Sequence, residues 1–208
     1  MNTRFVALIF SFLLFCSVQA QHELGVKMGP SIMGFYGSQA YATQSTGAVS
    51  AGALYRYRIN EGMAFQMEVN YVQSGQIALR RNYPNVRYME LNYFQIPLLL
   101  HLRTKSGSIK PGIFTGPYLS SLASHAYSPL YYNIESSAYS LDQVNPSKLD
   151  LGWILGFGVD YDLGPLFLMA DLRYNLGLKN LDNGNPGRTS NDLKQAGIQM
   201  NLGAGIRF

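Results

Sequence analysis

A chain of 208 residues is enough for one domain, but its composition excludes an ordinary soluble surface: charged residues make up 13%, about half the usual ~25%, while apolar residues stand at an ordinary 47%. The net charge of +4 comes with no basic cluster longer than Arg80-Arg81, which excludes the concentrated patch that nucleic acid requires. Beyond the N-terminal segment no stretch reaches the roughly 18 apolar residues of a helical membrane span.

The chain opens with Arg4, a short apolar run over residues 5–15, and small residues at Val18 and Ala20. This is the pattern of a cleaved secretory signal over residues 1–20, leaving residues 21–208 as the mature domain. Cys16, the only cysteine, falls inside the leader, so the mature chain is expected to have no thiol chemistry.

From there apolar and polar residues alternate with the period of a half-buried strand. The first strand, about residues 23–35, is the weakest and carries Pro30. In residues 47–59, Val49, Ala51, Ala53, Tyr55, Tyr57 and Ile59 share one face, with Ser50, Gly52, Arg56 and Arg58 on the other. After a tight turn at 60–62, Met63, Phe65, Met67, Val69 and Tyr71 oppose Gln66, Glu68 and Asn70. Strands four and five, about 88–103 and 108–121, flank a turn at 104–107. The alternation slips around Pro97, predicting a bulge or register change there. Strand six sets Leu151, Trp153, Leu155, Phe157, Val159 and Tyr161 against glycines, Asp150 and Asp160. Past a turn at 163–165, strand seven sets Leu166, Leu168, Ala170, Leu172 and Tyr174 against Asp171, Arg173 and Asn175. The last strand sets Ile198, Met200, Leu202, Ala204, Ile206 and Phe208 against Gln199, Asn201, Gly203, Gly205 and Arg207.

Eight strands result, joined by three short connections (60–62, 104–107, 163–165) and four long ones (36–46, 73–87, 122–149, 177–193). Outer-membrane barrels have this rhythm of short periplasmic turns and long outer loops. The predicted fold is therefore all-β: an eight-stranded antiparallel up-and-down transmembrane β-barrel. Alternation by itself fits a soluble lipocalin-like carrier of an apolar ligand as well, with the apolar face turned inward. Three features favour the membrane. The polar face is poor in lysine. The apolar face carries aromatic residues near both strand ends, Tyr57, Phe65, Tyr161 and Phe208 at the short-turn end and Tyr71, Trp153 and Tyr174 toward the other. The final strand ends on the apolar-face Phe208, a pattern resembling the signal read by barrel-assembly machinery.

An eight-stranded barrel is just wide enough for side chains to fill it. Arg56, Glu68, Glu90, Lys110, Asp171 and Arg173 are expected to form an interior polar network that closes the lumen against diffusion. Arg58, Asp160 and Arg207 lie close enough to the short-turn end to meet water instead.

Four segments carry a family resemblance: LNYFQIPLLL at 91–100, KPGIFTGPY at 110–118, GWILGFG at 152–158 and RYNLGLKN at 173–180. They resemble the PorT-like outer-membrane barrels common in Bacteroidota, and the likeness spans almost all the mature chain. The resemblance implies a barrel in the outer membrane and, through one member, a link to type IX secretion. Its motifs build the barrel and contain no catalytic residue.

The chemistry-bearing residues are sparse. His22, His101 and His125 have no metal-ligand spacing and are expected at a terminus, a rim and a loop. His125 with Ser120, Ser121 or Ser124 offers the elements of a nucleophilic set without a Gly-x-Ser-x-Gly turn. Gly156, Gly158, Gly203 and Gly205 sit within strands, which suits close interior packing and excludes phosphate loops. Tyr127, Tyr131, Tyr132 and Tyr139, in the longest loop, form either a partner surface or a cover over the barrel mouth. The sequence thus predicts no enzyme, cofactor, metal or nucleic-acid partner. Its expected partners are outer-membrane lipid and lipopolysaccharide, the assembly machinery during biogenesis, and other envelope or secretion proteins. The expected role is structural or interactive, as an accessory to secretion or envelope assembly, with a barrel enzyme acting on lipid or protein as a further alternative.

Overall fold

The computed structural model describes residues 21–36, 43–78, 87–129, 147–181 and 194–208. The expected leader, residues 1–20, lies outside them, as do the loop tyrosines Tyr131, Tyr132 and Tyr139. Eight strands follow in order: β1 (His22–Tyr36), β2 (Thr43–Asn60), β3 (Met63–Ala78), β4 (Arg87–Arg103), β5 (Ile109–Pro129), β6 (Leu149–Leu163), β7 (Leu166–Gly177) and β8 (Lys194–Arg207). Each pairs antiparallel with its sequence neighbours, and β1 closes on β8, giving an up-and-down barrel. Phe208 completes the seam: its N–H donates to His22 O at 2.9 Å, the His22 N–H donates back at 3.1 Å, and the two rings stack.

The faces are as the alternation requires, and their polarity decides between membrane and soluble barrel. Leu202 is 65% exposed and Leu155 61%, whereas Arg56 is 0% and Arg173 1%. Apolar side chains cover the outside and charged ones fill the inside, the inverse of a lipocalin. The soluble-carrier reading is thereby corrected. Tyr57, Phe65, Trp153, Tyr161 and Tyr174 are exposed on the outer wall, with Tyr71 and Phe208 half-covered there. Tyr71 makes an edge contact with Phe94, and Tyr57 packs on His22.

The three short turns stand where expected. Leu163 pairs with Leu166, so Gly164-Pro165 forms a two-residue hairpin. Gly164 has φ +74°, the conformation that the mirror-image hairpin turns demand of their first residue, and proline supplies the negative φ that follows. Turn residues also reach the next hairpin: Arg103 N–H donates to Gly62 O, Asp162 N–H to Ser108 O and Arg207 N–H to Pro165 O.

Two expectations fail. No register change occurs at Pro97. Ladder pairs are missing beside it, but Met67↔Leu98 and Asn70↔Gln95 keep one register, and Pro97 and Leu99 point inward while Ile96 and Leu98 point outward. The slip seen in the sequence arises because apolar residues occupy both faces there. The true shift in β4–β5 lies between Asn92 and Tyr93, which pair with Ser124 and Leu122 and leave Ala123 as the extra residue. Secondly, the strands outrun the expected loops. β3 continues to Ala78, and β5 to Pro129, so His125 and Tyr127 belong to a strand and not to a loop. Past the last β5–β6 pair, Ser121↔Leu149, β5 runs on beside β4 as far as Arg87↔Pro129.

Inside, large side chains are seated on glycines. Phe114 lies over Gly156, Phe167 over Gly205, and Tyr118 over Gly152. A Cβ on Gly156 would fall within the van der Waals surface of the Phe114 ring and 2.8 Å from Leu172 O. One on Gly47 would meet nothing within 4 Å. Gly156→Ala is therefore expected to destabilise the barrel by about 1–3 kcal/mol through overpacking, and Gly47→Ala by under about 0.5 kcal/mol. Urea unfolding of the two variants in lipid vesicles checks the contrast.

Candidate functional site in the barrel lumen

Every strand contributes at least one charged side chain to the interior, and the charges form two layers. The middle layer centres on Arg173 of β7. Its guanidinium holds Glu68 of β3 through Nη1 at 2.8 Å and Nη2 at 3.2 Å, and Asp171 through Nε at 3.0 Å and Nη2 at 2.7 Å. Lys27 of β1 reaches Glu68 at 2.6 Å, and Asn70 donates to the same carboxylate at 2.7 Å. Asn201 of β8 donates to Asp171 at 2.7 Å while accepting from Ser50 of β2 at 2.9 Å. Two cations face two carboxylates, all buried, and the carboxylates also accept from the amides of Gln66, Asn70 and Asn201.

Below it, toward the short turns, Arg56 of β2 donates to Glu23 at 2.9 Å, Asp160 at 2.7 Å and Gln66 at 2.7 Å. Arg103 of β4 holds Asp160 at 2.8 Å and Glu23 at 3.4 Å. Arg207 of β8 bonds Glu23 at 3.0 Å and also Asp162, which pairs with Lys110 of β5 at 2.6 Å. Gln66 joins the layers, accepting from Arg56 and donating to Glu68. Aromatic faces back the cations: Arg173 lies 5.0 Å over Phe114, and Arg56 and Arg207 lie 5.6 and 5.3 Å over Phe167. Above both layers the inward positions turn mostly uncharged: Ser31, Ser74, Gln95, Ser120, Asn175, Gln195 and Gln199 are buried there, with Asp150 accepting from Tyr118.

Of the residues the sequence assigned to the interior, Arg56, Glu68, Asp171 and Arg173 form the core of the network, and Lys110 joins at its lower edge. Glu90 contributes backbone to β4; its side chain lies outside the described residues. Asp160 and Arg207 are buried partners and not rim groups, while Arg58 is half-covered, 3.7 Å from Glu23. Sequence reasoning missed Glu23, Lys27 and Arg103. The signal for the first two was present: both share parity with Gly25, Gly29 and Ser31, opposite Leu24, Val26 and Met28. His101 is a correction too, for it points into the lumen and stacks on Phe114 at 4.7 Å, because its parity is that of Leu99 and Arg103.

The serines of the nucleophilic set diverge. Ser120 is buried in the lumen, Ser121 faces outward, and the Ser124 hydroxyl accepts from Asn92 at 3.0 Å. The His125 side chain lies outside the described residues. Among the described residues no three histidine, cysteine or carboxylate side chains converge to hold a metal. What the arrangement can do is mechanical and electrostatic: it cross-braces the ring and fills its bore with fixed charge.

Known proteins share this fold. The family described as outer membrane protein beta-barrel domain matches residues 19–183. Among solved structures, the outer membrane protein OprG from Pseudomonas aeruginosa aligns with a TM-score of 0.53 at 12% identity, over 91% of this chain and 97% of that one. A major outer membrane protein from Thermus thermophilus aligns with a TM-score of 0.53 at 15% identity, over 90% of this chain and 99% of that one. At such identities the likeness concerns the fold. No curated protein matches the sequence.

The network sets an expected outcome. Glu68→Ala leaves Arg173 and Lys27 facing a lost carboxylate in a buried site, and is expected to cost about 3–5 kcal/mol. Arg58→Ala, at the half-exposed edge, is expected to cost under about 1 kcal/mol. Urea unfolding followed by tryptophan fluorescence of Trp153 checks both.

Proposed function

Since the chain belongs to the outer membrane protein β-barrel domain family, we propose that it is a closed outer-membrane barrel with a structural or protein-binding role, not a porin and not an enzyme. The packed lumen carries this reading. Ion pairs from all eight strands occupy the bore, and large side chains sit on the glycines between them. Moving a hydrated solute through would require breaking buried, partnered charges, at several kcal/mol for each. With the bore filled, the surfaces left for function are the lipid-facing wall and the parts that stand beyond the rim.

Beyond the rim the wall is uneven, and this favours a partner-binding role. The ladder Thr43↔Ala78 in β2–β3, Ala78↔Arg87 in β3–β4 and Arg87↔Pro129 in β4–β5 forms one row well past the last β5–β6 pair. The bulge at Ala123 lies where β5 parts from β6, a common place for a device that re-aims a strand at a barrel rim. In this reading the long-loop side faces outward, as in barrels of this kind, and the raised sheet of β2 to β5 is the surface offered to an envelope or secretion partner or lipopolysaccharide, with Tyr127, Tyr131, Tyr132 and Tyr139 as the proposed contacts. The PorT-like motifs make a secretion accessory the specific form of the proposal, with a leader over residues 1–20 delivering the chain and barrel-assembly machinery reading the strand that ends at Phe208.

Two measurements test the proposal. Purified protein in planar bilayers is expected to give no steady conductance, and a large sustained current would refute the closed barrel. Cells lacking the gene are expected to lose specific proteins from their surface with small-solute uptake unchanged. An unaltered surface protein set with reduced uptake would refute the accessory role.

A further inference from the structure

The lower layer of the plug is not electrically balanced. Among the described residues, with the half-exposed Arg58 set aside at its water-facing edge, Arg56, Arg103, Arg207 and Lys110 are four cations, and their partners Glu23, Asp160 and Asp162 are three carboxylates. The middle layer, by contrast, balances two against two. An excess of like charge inside a low-dielectric wall is costly unless an anion shares the site.

The same layer contains a small cavity of about 10 Å³ lined by Arg56, His101, Arg103, Lys110 and Phe114 among others. That volume suits one occupant of about the size of a water molecule. Two buried atoms of its lining have no hydrogen-bond partner in the protein: Arg56 Nη2 and His101 Nε2. Arg56 is 0% exposed and His101 7%, so bulk water does not satisfy them. Asp160 and Asp171 also line the cavity, but Asp160 already accepts from Arg56 and Arg103, and Asp171 from Arg173 and Asn201. Their charge is committed; of the two atoms left over, Arg56 Nη2 is a cationic donor, and His101 Nε2 donates when the neutral imidazole carries its proton there.

We propose that this cavity is a halide site, in which a single chloride ion accepts from Arg56 Nη2 and His101 Nε2–H and balances Arg103 and Lys110 at the short-turn end of the lumen. Phosphate, sulfate and carboxylates are too large for it, and a cation would face three permanent positive charges. A neutral water would satisfy the two orphan donors but would leave the cationic excess in place. The halide therefore serves as a removable part of the plug, and the inference stands whether or not the barrel binds a secretion partner.

Bromide tests it, because it substitutes for chloride and scatters anomalously. Crystals of the full barrel grown in sodium bromide are expected to show an anomalous peak in contact with Arg56 Nη2 and His101 Nε2. A cavity without anomalous signal, or bromide confined to the exposed rim, would overturn the proposal in favour of water. In detergent solution, bromide-81 line broadening is expected to be displaced by chloride and not by sulfate at equal ionic strength. Lys110→Met, at the edge of the plug, is expected to weaken bromide binding by about tenfold, the effect of removing one charge a few ångströms away in a screened site. Arg58→Ala, outside the cavity lining, is expected to leave it unchanged. Equal affinity in the Lys110→Met protein and the parent would also overturn the assignment.

Discussion

The guanidinium of Arg173 sits between Glu68 and Asp171, with Lys27 on the far side of Glu68, and none of these groups reaches water. Burying four charges costs far more than any one contact returns, so the arrangement survives only when all partners are present together. The partners come from β1, β3 and β7, and the amides that complete them from β3 and β8. Slipping any of these strands by one residue would carry its charges to the lipid face and bring leucines inward. The ion network thus fixes the register of strands that are far apart in sequence, which turn geometry by itself does not reach. Backbone pairing closes the ring, and the charges decide at which offset it closes.

Much of this was legible because a barrel writes itself in a two-residue period. The outward faces of β2, β3, β6, β7 and β8 were readable residue by residue, and so was the glycine-rich inner face. Position in the interior is a one-dimensional property, set by parity. Partnership is not. Nothing in the local sequence tells Glu68 that it meets Arg173, 105 residues away, or that Gln66 bridges two layers. Lys27 and Glu23 mark the same limit: parity places them inside, opposite Leu24, Val26 and Met28, but does not tell that they meet Glu68 and Arg56. The length of β5 was misjudged because residues 122–129 alternate poorly, and their strand conformation follows from pairing with β4 rather than from their own preference.

The inner aromatics and the glycines form a second code that the sequence showed only by halves. Gly156 and Gly205 were recognisable as close-packing positions, but the rings they admit, Phe114 and Phe167, lie on other strands, as does Tyr118 over Gly152. These rings do more than fill space. Phe114 carries Arg173 over its ring and has His101 stacked on it, and Phe167 carries Arg56 and Arg207. A guanidinium so placed has its edges free for carboxylates and its face against a ring, which is how it stays charged without water. The glycines, by letting the rings in, make the ion network possible.

Proline in a strand is ordinarily a mark of an edge, since it removes one ladder donor. Here Pro30, Pro97, Pro111 and Pro117 all lie within strands of a ring that has no edge. The register around them shows why this is tolerated. Pairs are missing in β1–β8 between Met28↔Leu202 and Ser31↔Gln199, yet the offset on the two sides is the same, and Pro30 still pairs with Val49 across the other ladder. Beside Pro97 the β3–β4 ladder lapses and resumes in step, while Pro97↔Tyr118 holds on β5. A strand in a closed barrel is fixed from both sides and again from within by its inward charges, so one lost hydrogen bond removes one constraint among several. One bulge appears at Ala123, where β5 leaves β6 and is held from one side only, and another register shift lies in β2–β3 between Thr46 and Ser50, where β2 still pairs with β1. A proline within a doubly held strand thus leaves the register in step, and the shifts fall elsewhere in the ladders.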